Sequence, residues 1–220
     1  MKPIKDSNMF IKMLVCVSGL FTCAVGQYLM TRATMIGLGA WECFQTGVSF
    51  KFGIAYGNVV IMVGVCILVI DVLLKGKIGI GTICNTFMIG WFINIFNHFQ
   101  LIDYIENVWL AVPALILGMC FHATGSYIYM QPCLGCGPRD TLMVQIGKKF
   151  PKANIAVIKY AQEMAAFTIG VLLGAPLGIG SLISILCAAY VYKSIFKFFK
   201  FEPRTLTHES IADTLGKLVK

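Results

Sequence analysis

The sequence reads as an all-α integral membrane protein, with six transmembrane helices forming two inverted three-helix repeats. Glycine-rich connectors, re-entrant or lying on the membrane surface, are expected inside each repeat. Three observations carry this expectation. Of 220 residues, 58% are hydrophobic and 13% charged, with a mean hydropathy of +0.80, whereas soluble domains are about one quarter charged. Charge-free runs of span length recur along the chain, and a hydrocarbon core of about 30 Å takes about 20 apolar residues as a helix. The glycine pattern also returns after 98 or 99 residues, the mark of a duplicated unit.

The elements follow in order. The first run, Met13 to Thr31, stands behind Lys2, Lys5 and Lys12. It is read as a retained helix rather than a cleaved leader, because it is span-length and ends in Gln27, Tyr28 and Leu29 without a clear small-residue cleavage site. Phe52 to Ile70 and Ile78 to Asn97 give the second and third spans, and Val108 to about Tyr129 gives the fourth. Met164 to Tyr192 has no charge but exceeds one span, and Gly174, Ala175 and Pro176 break it. Helix five is therefore placed from Asn154 to Leu173 and helix six from Leu177 to Ile195. The result is a single transmembrane domain over 1–200, with repeats at 10–97 and 107–196. Residues 201–220 read as a cytoplasmic tail, either disordered or amphipathic through Leu206, Ile211, Leu215 and Leu218.

The duplication is legible residue by residue. Gly37, Gly39, Trp41 and Glu42 align with Gly135, Gly137, Arg139 and Asp140 at an offset of 98. Gly79, Gly81 and Thr82 align with Gly178, Gly180 and Ser181 at 99, as Gly19 and Gly26 align with Gly118 and Gly125. Three spans per unit invert the second copy. The charges agree: the turn at Lys75 and Lys77 is basic, while its counterpart Gly174 to Pro176 is uncharged, as expected of turns on opposite faces under the positive-inside rule. Both termini are expected in the cytoplasm, in a bacterial cell membrane.

A net charge of +8 on a soluble protein would point to nucleic acid. Here the basic residues track loop orientation, and no nucleic-acid partner is expected. The nine cysteines lie mostly inside apolar runs and read as small hydrophobic fillers. Cys133 and Cys136 form one CxxC, but a zinc site needs two further ligands that this loop does not offer, so no metal is expected. With no Walker A pattern, and with glycine pairs that open helices rather than follow soluble strands, no cofactor is expected either.

The blocks GLGAWECFQTG, KGKIGIGTICNTFMIGWFIN, GCGPRDTLM and KYAQEMAAFTIGVLLGAPLGIGS together resemble the bacterial YczE/YitT family of small multipass membrane proteins, the YczE branch more closely. The likeness spans residues 10 to 196. Ala40, Trp41 and Glu42 stand where Pro-Trp-Asp is usual, and Ser181 replaces a threonine. The soluble C-terminal domain of YitT-type members is absent from the sequence, so the resemblance implies fold and location and leaves activity open.

Lys159 and Glu163 lie four apart on one helix face at membrane depth. Each such charge costs about 2.5–3.5 kcal/mol near the bilayer centre, so the pair is expected to face the bundle interior and neutralise itself. It either binds a solute, cation or proton or locks helix five to a neighbour. The blocks around Gly37, Gly39, Gly135 and Gly137 either form two broken segments meeting at a substrate site or lie at the surface. In the latter case Glu42 and Asp140, with Arg139, simply complement helix N-termini. His122, Asn85, Asn94 and Gln162 either line a cavity or bond between helices.

The function expected is a secondary transporter or permease for an unidentified small solute. The rival is a non-transporting accessory protein acting through a membrane partner. The lipid bilayer is the one certain contact, and a homo-oligomer stays open. No HExxH or GxSxG signature stands on these helices, so the protein is not expected to be an enzyme.

Overall fold

The computed structural model describes residues 7–152, 155–201, 209–211 and 214. Eight α-helices account for most of them: α1 Met9–Arg32, α2 Ala40–Phe52, α3 Tyr56–Leu73, α4 Ile80–His98, α5 Val108–Met130, α6 Pro138–Lys149, α7 Ile155–Leu172 and α8 Ile179–Phe198. No strand occurs among the described residues. Five helices, α1, α3, α4, α5 and α8, are long and apolar enough to cross a membrane. The chain is therefore a multipass membrane protein, and its exposed Phe, Leu, Ile and Val side chains are what lipid solvates. The expected fifth span forms as α7 but is not among those five.

Local chemistry explains the boundaries. Asn8 and Asn107, 99 residues apart, cap α1 and α5, accepting from the N–H of Phe10 at 3.3 Å and of Trp109 at 2.9 Å. Phe52 closes α2 instead of opening the second span, because Gly53 adopts a left-handed cap (φ 65°) whose N–H bonds Ser49 O. The next helix accordingly starts at Tyr56 rather than Phe52. Turns at equivalent places end α3 and α7: Gly76 donates to Asp71 O at 2.7 Å and Ala175 to Gly170 O at 3.0 Å. The extended residue Gly178 caps α8, which therefore begins at Ile179 and not Leu177.

The halves pack on each other through α1 and α5. A Cβ at Gly26 would lie 2.5 Å from Gly118 O and His122 N, and one at Gly125 2.6 Å from Gly19 O. Gly19 faces Gly125 while Gly26 faces Gly118, so the two helices run antiparallel. In lipid no hydrophobic force drives helices together, and close backbone approach through small residues supplies the attraction. Around this axis, α1 packs on α4 as α5 packs on α8, and α2 packs on α7 as α6 packs on α3.

The connectors interlock crosswise. Gly37 (φ 97°) and Gly135 (φ 127°) adopt backbone conformations that side chains resist. Each lets its connector dock on the start of the other half's last helix. Leu38 N–H donates to Ser181 Oγ at 3.0 Å, and Gly81 N–H donates to Leu134 O at 2.8 Å.

One pair breaks the correspondence. α3 and α4 close through Gly57 against Gly90, whereas among the described residues α7 and α8 do not pack in this way; Ala189, the counterpart of Gly90, is exposed. Most of the expected tail, including Leu206, Leu215 and Leu218, lies outside the described residues. The described part docks on the bundle: Glu209 N–H donates to Cys133 O at 2.8 Å, and Lys12 pairs with Glu209 at 3.4 Å, both side chains buried.

Candidate functional site

The first turns of α2 and α6 meet. Gly39 and Gly137 are their extended N-caps, and Pro138 takes the first position of α6, where its missing N–H costs nothing. The Arg139 guanidinium stacks 4.4 Å from the ring centre of Trp41. These two residues occupy equivalent positions of the two halves, so each connector brings its first turn to the same place. Stacking on tryptophan is the most favourable cation–π geometry.

Polar groups from every neighbouring helix gather around this contact. On one flank Gln27 Nε2 donates to Gln45 Oε1 and to Tyr56 Oη, each at 2.9 Å, and Tyr56 Oη donates to Gln45 Oε1 at 3.0 Å. On another, His122 Nδ1 and Tyr192 Oη lie 2.6 Å apart. Tyr129 Oη accepts from Gly137 N–H at 3.1 Å, and Asn85 borders Gly137 as Ser184 borders Gly39. Glu42 Oε2 folds back over Gly39. Glu163 lies within electrostatic range of Lys159, Glu42, Arg139 and Asp140, and His122 within range of Arg139.

Two buried polar atoms in this region, Gln45 Nε2 and Ser184 Oγ, have no hydrogen-bond partner, and neither has Gln162 Nε2, on α7 next to Glu163 in the chain. Buried polar groups are normally satisfied, and the exceptions call for a ligand, a water or a function. The cluster counts Glu42, Asp140 and Glu163 against Arg139 and Lys159, so it is polar and mixed in sign rather than a pure anion or cation cage.

The expected Lys159–Glu163 ion pair does not form. The two residues share a face of α7 as their spacing requires, but Lys159 is exposed and Glu163 half-buried. The lysine stem instead carries Nζ to 5.8 Å above the Tyr192 ring. The Tyr192 ring of α8 offers the ammonium a partner in place of the carboxylate.

Of the residues singled out from the sequence, Glu42, Arg139, Asp140, Glu163, Lys159, His122, Asn85, Gly39 and Gly137 come together here. Gly37 and Gly135 stand apart, at the points where the connectors dock. Ahead of α6, burial pushes the Cys136 thiol up to about 11, with Asp140 acting in the same direction. The protonated thiol contacts Thr141 Oγ1 at 3.2 Å. Cys133 Sγ contacts Gln131 O, so the CxxC sulfurs serve separate local contacts.

Trp41 was visible only as the repeat counterpart of Arg139, and Gln27, Gln45, Tyr56 and Tyr192 were not singled out as site residues. Their only sequence signal is polarity or an aromatic hydroxyl inside an apolar run. Arg32, the last residue of α1, is buried between the rings of Tyr28 (4.3 Å) and Tyr104 (4.6 Å) and bonds Asn97. It borders a separate cavity of about 240 Å³ under the α4–α5 loop.

The model of a family of unknown function, DUF6198, matches residues 10–197. The uncharacterized membrane protein YczE of Bacillus subtilis (strain 168) is 25% identical over 177 residues, 80% of this chain and 81% of that protein. An uncharacterized protein of Haemophilus influenzae is 26% identical over 149 residues, 67% of each chain. No solved structure matches the chain.

Proposed function

This chain belongs to the YczE-like DUF6198 family, and from that premise we propose that it is a secondary transporter for a small polar solute, with no catalytic step of its own. The solute site is the polar centre where α2 and α6 meet. The observation that carries the reading is the convergence of two helix N-termini, one from each half, on buried polar atoms that lack partners. Broken helices that point their positive ends at a shared midplane site are how many repeat-built carriers hold their cargo.

In this reading α7 crosses the membrane as well, both termini are cytoplasmic, and the halves are inverted copies with re-entrant connectors. The antiparallel α1–α5 contact and the crosswise docking of Gly37 and Gly135 support that arrangement. Asp140 and Glu163 orient the solute or a coupling ion, and Arg139, held on Trp41, sets the local potential. Non-helical backbone at membrane depth is tolerated where protein surrounds it, and the helices packed around the polar centre supply that surrounding.

The test is uptake or counterflow in proteoliposomes across a panel of small polar solutes. Glu163→Gln and Asp140→Asn are each expected to lower the rate at least tenfold while the purified protein keeps its thermal stability. Unchanged transport of every solute, together with a stoichiometric membrane partner on purification, would replace the carrier by an accessory protein.

A further inference from the structure

Two seams of this molecule are built from equivalent parts, and they differ in one chemical respect. In the α2–α7 seam Gly47 meets Gly170: a Cβ on Gly47 would lie 2.6 Å from Gly170 O, and one on Gly170 2.5 Å from Phe44 N. Glycine at both positions lets the two backbones touch. The counterpart of Gly47 in the second half is Gln145, at an offset of 98, and the counterpart of Gly170 in the first is Asp71, at 99. Where one seam holds two glycines, the other holds an amide and a carboxyl group.

Both are buried, Asp71 at 0% exposure and Gln145 at 8%. Neither carboxyl oxygen of Asp71 has a hydrogen-bond partner, and Asp71 forms no ion pair among the described residues. The seam around it is closed by Thr141 and Gln145, whose Cγ atoms lie 3.1 and 3.4 Å from a Cβ built on Gly76, and by Leu142 against Val63 and Ile67.

The charged and titratable groups nearby do not compensate Asp71. Lys75 and Lys77, on the turn that follows it, are exposed. The approach to α6 and α6 itself supply Cys136, Arg139, Asp140, Lys148 and Lys149; α2 supplies Glu42, Cys43 and Lys51; α4 supplies Cys84 and His98; α3 itself supplies Tyr56 and Cys66. None of them bonds the carboxyl group among the described residues, and Cys136 lies within its electrostatic reach. An ionised carboxylate without a partner is far costlier to bury than a neutral acid, so such a group takes up a proton or holds a cation.

We propose that Asp71 is a proton-binding site, and that the α3–α6 seam stays closed only while its carboxyl group holds the proton. Asp71 lies in the last turn of α3, and its backbone carbonyl accepts from Gly76 in the turn between Lys75 and Lys77. A proton from the aqueous side therefore has about one helical turn to cross. Losing it leaves a carboxylate that must hydrate, and the water it draws in parts α3 from α6. The glycine seam on the opposite side has no titratable group at either position and lacks this response. The proposal concerns proton binding and holds whether or not the polar centre carries a solute.

An apolar carbodiimide, dicyclohexylcarbodiimide, reacts with protonated carboxyl groups in apolar surroundings and leaves an acylurea that peptide mass spectrometry locates. On the purified full chain, an adduct at Asp71 is expected in acid and is expected to be lost as pH rises, unaffected when sodium replaces choline. Thermal stability should fall as pH rises from the ordinary carboxylate range up to the pH at which the adduct is lost, because between the two the folded state binds a proton that the unfolded state has released, and Asp71→Asn should flatten that fall. No adduct at Asp71 in acid overturns the proposal, and so does protection by sodium, which would make the group a cation ligand. Labelling of the wild-type chain decides the matter even where Asp71→Asn fails to fold.

Discussion

Single side chains do two kinds of work in this bundle. Gly26 carries packing: it lets α1 lie against Gly118 and His122, where a Cβ would sit 2.5 Å from backbone atoms. Gly26→Val forces the helices apart at a cost of about 1–3 kcal/mol, the usual penalty for overpacking. At about 2–4 °C per kcal/mol for a chain this size, a fall of several degrees in Tm is expected in detergent. By contrast, Gly174→Ala meets no atom within 4 Å. Its cost comes only from the positive φ of 90° at that position, and the comparison of the two melting curves checks the difference.

Elements act through their ends. The α2 and α6 first turns are tied by Arg139 on Trp41, one residue from each half. A double-mutant cycle on Trp41→Leu and Arg139→Gln, read by thermal or denaturant unfolding, is expected to give a coupling of about 0.5–2 kcal/mol, the range for a cation–π contact removed from water. A coupling near zero would mean that the turns are placed by connector docking alone. The Asn8 and Asn107 caps offer an internal check on equivalence. Each accepts one N–H at the start of its helix, so Asn8→Ala and Asn107→Ala should each cost about 0.5–2 kcal/mol, measured by the same unfolding curves.

At the level of the assembled bundle, the prediction is topological. With inverted halves, the α3–α4 turn and the α7–α8 turn emerge on opposite faces. In a cysteine-depleted background, Lys75→Cys and Gly174→Cys should therefore react with an impermeant maleimide from opposite sides of oriented vesicles. Labelling from one side would end the inverted arrangement, and with it the meeting of two opposed connectors at a midplane site. The uneven seams matter here too. The glycine-paired α2–α7 seam resists parting, while the α3–α6 seam with Asp71 and Gln145 and the loose α7–α8 pair are where the bundle can yield.

Much of this protein could be read without coordinates, because hydropathy and charge act locally. Each apolar run reports its own transfer free energy into lipid, so the spans at α1, α3, α4, α5 and α8 were visible to within a few residues. The glycine blocks were visible by their spacing, because close contacts between backbones demand small residues. What faces what was not visible. That Trp41 lies under Arg139, that Lys159 leans to Tyr192 rather than Glu163, and that Gln27, Gln45 and Tyr56 share hydrogen bonds all depend on residues far apart in the chain. Asp71 is the clearest case. At the end of an apolar run beside two lysines, the sequence shows an ordinary interfacial acid, and its burial without a partner is created by α6 packing over it. Lipid selects the helices one segment at a time, but steric fit between segments chooses the partners.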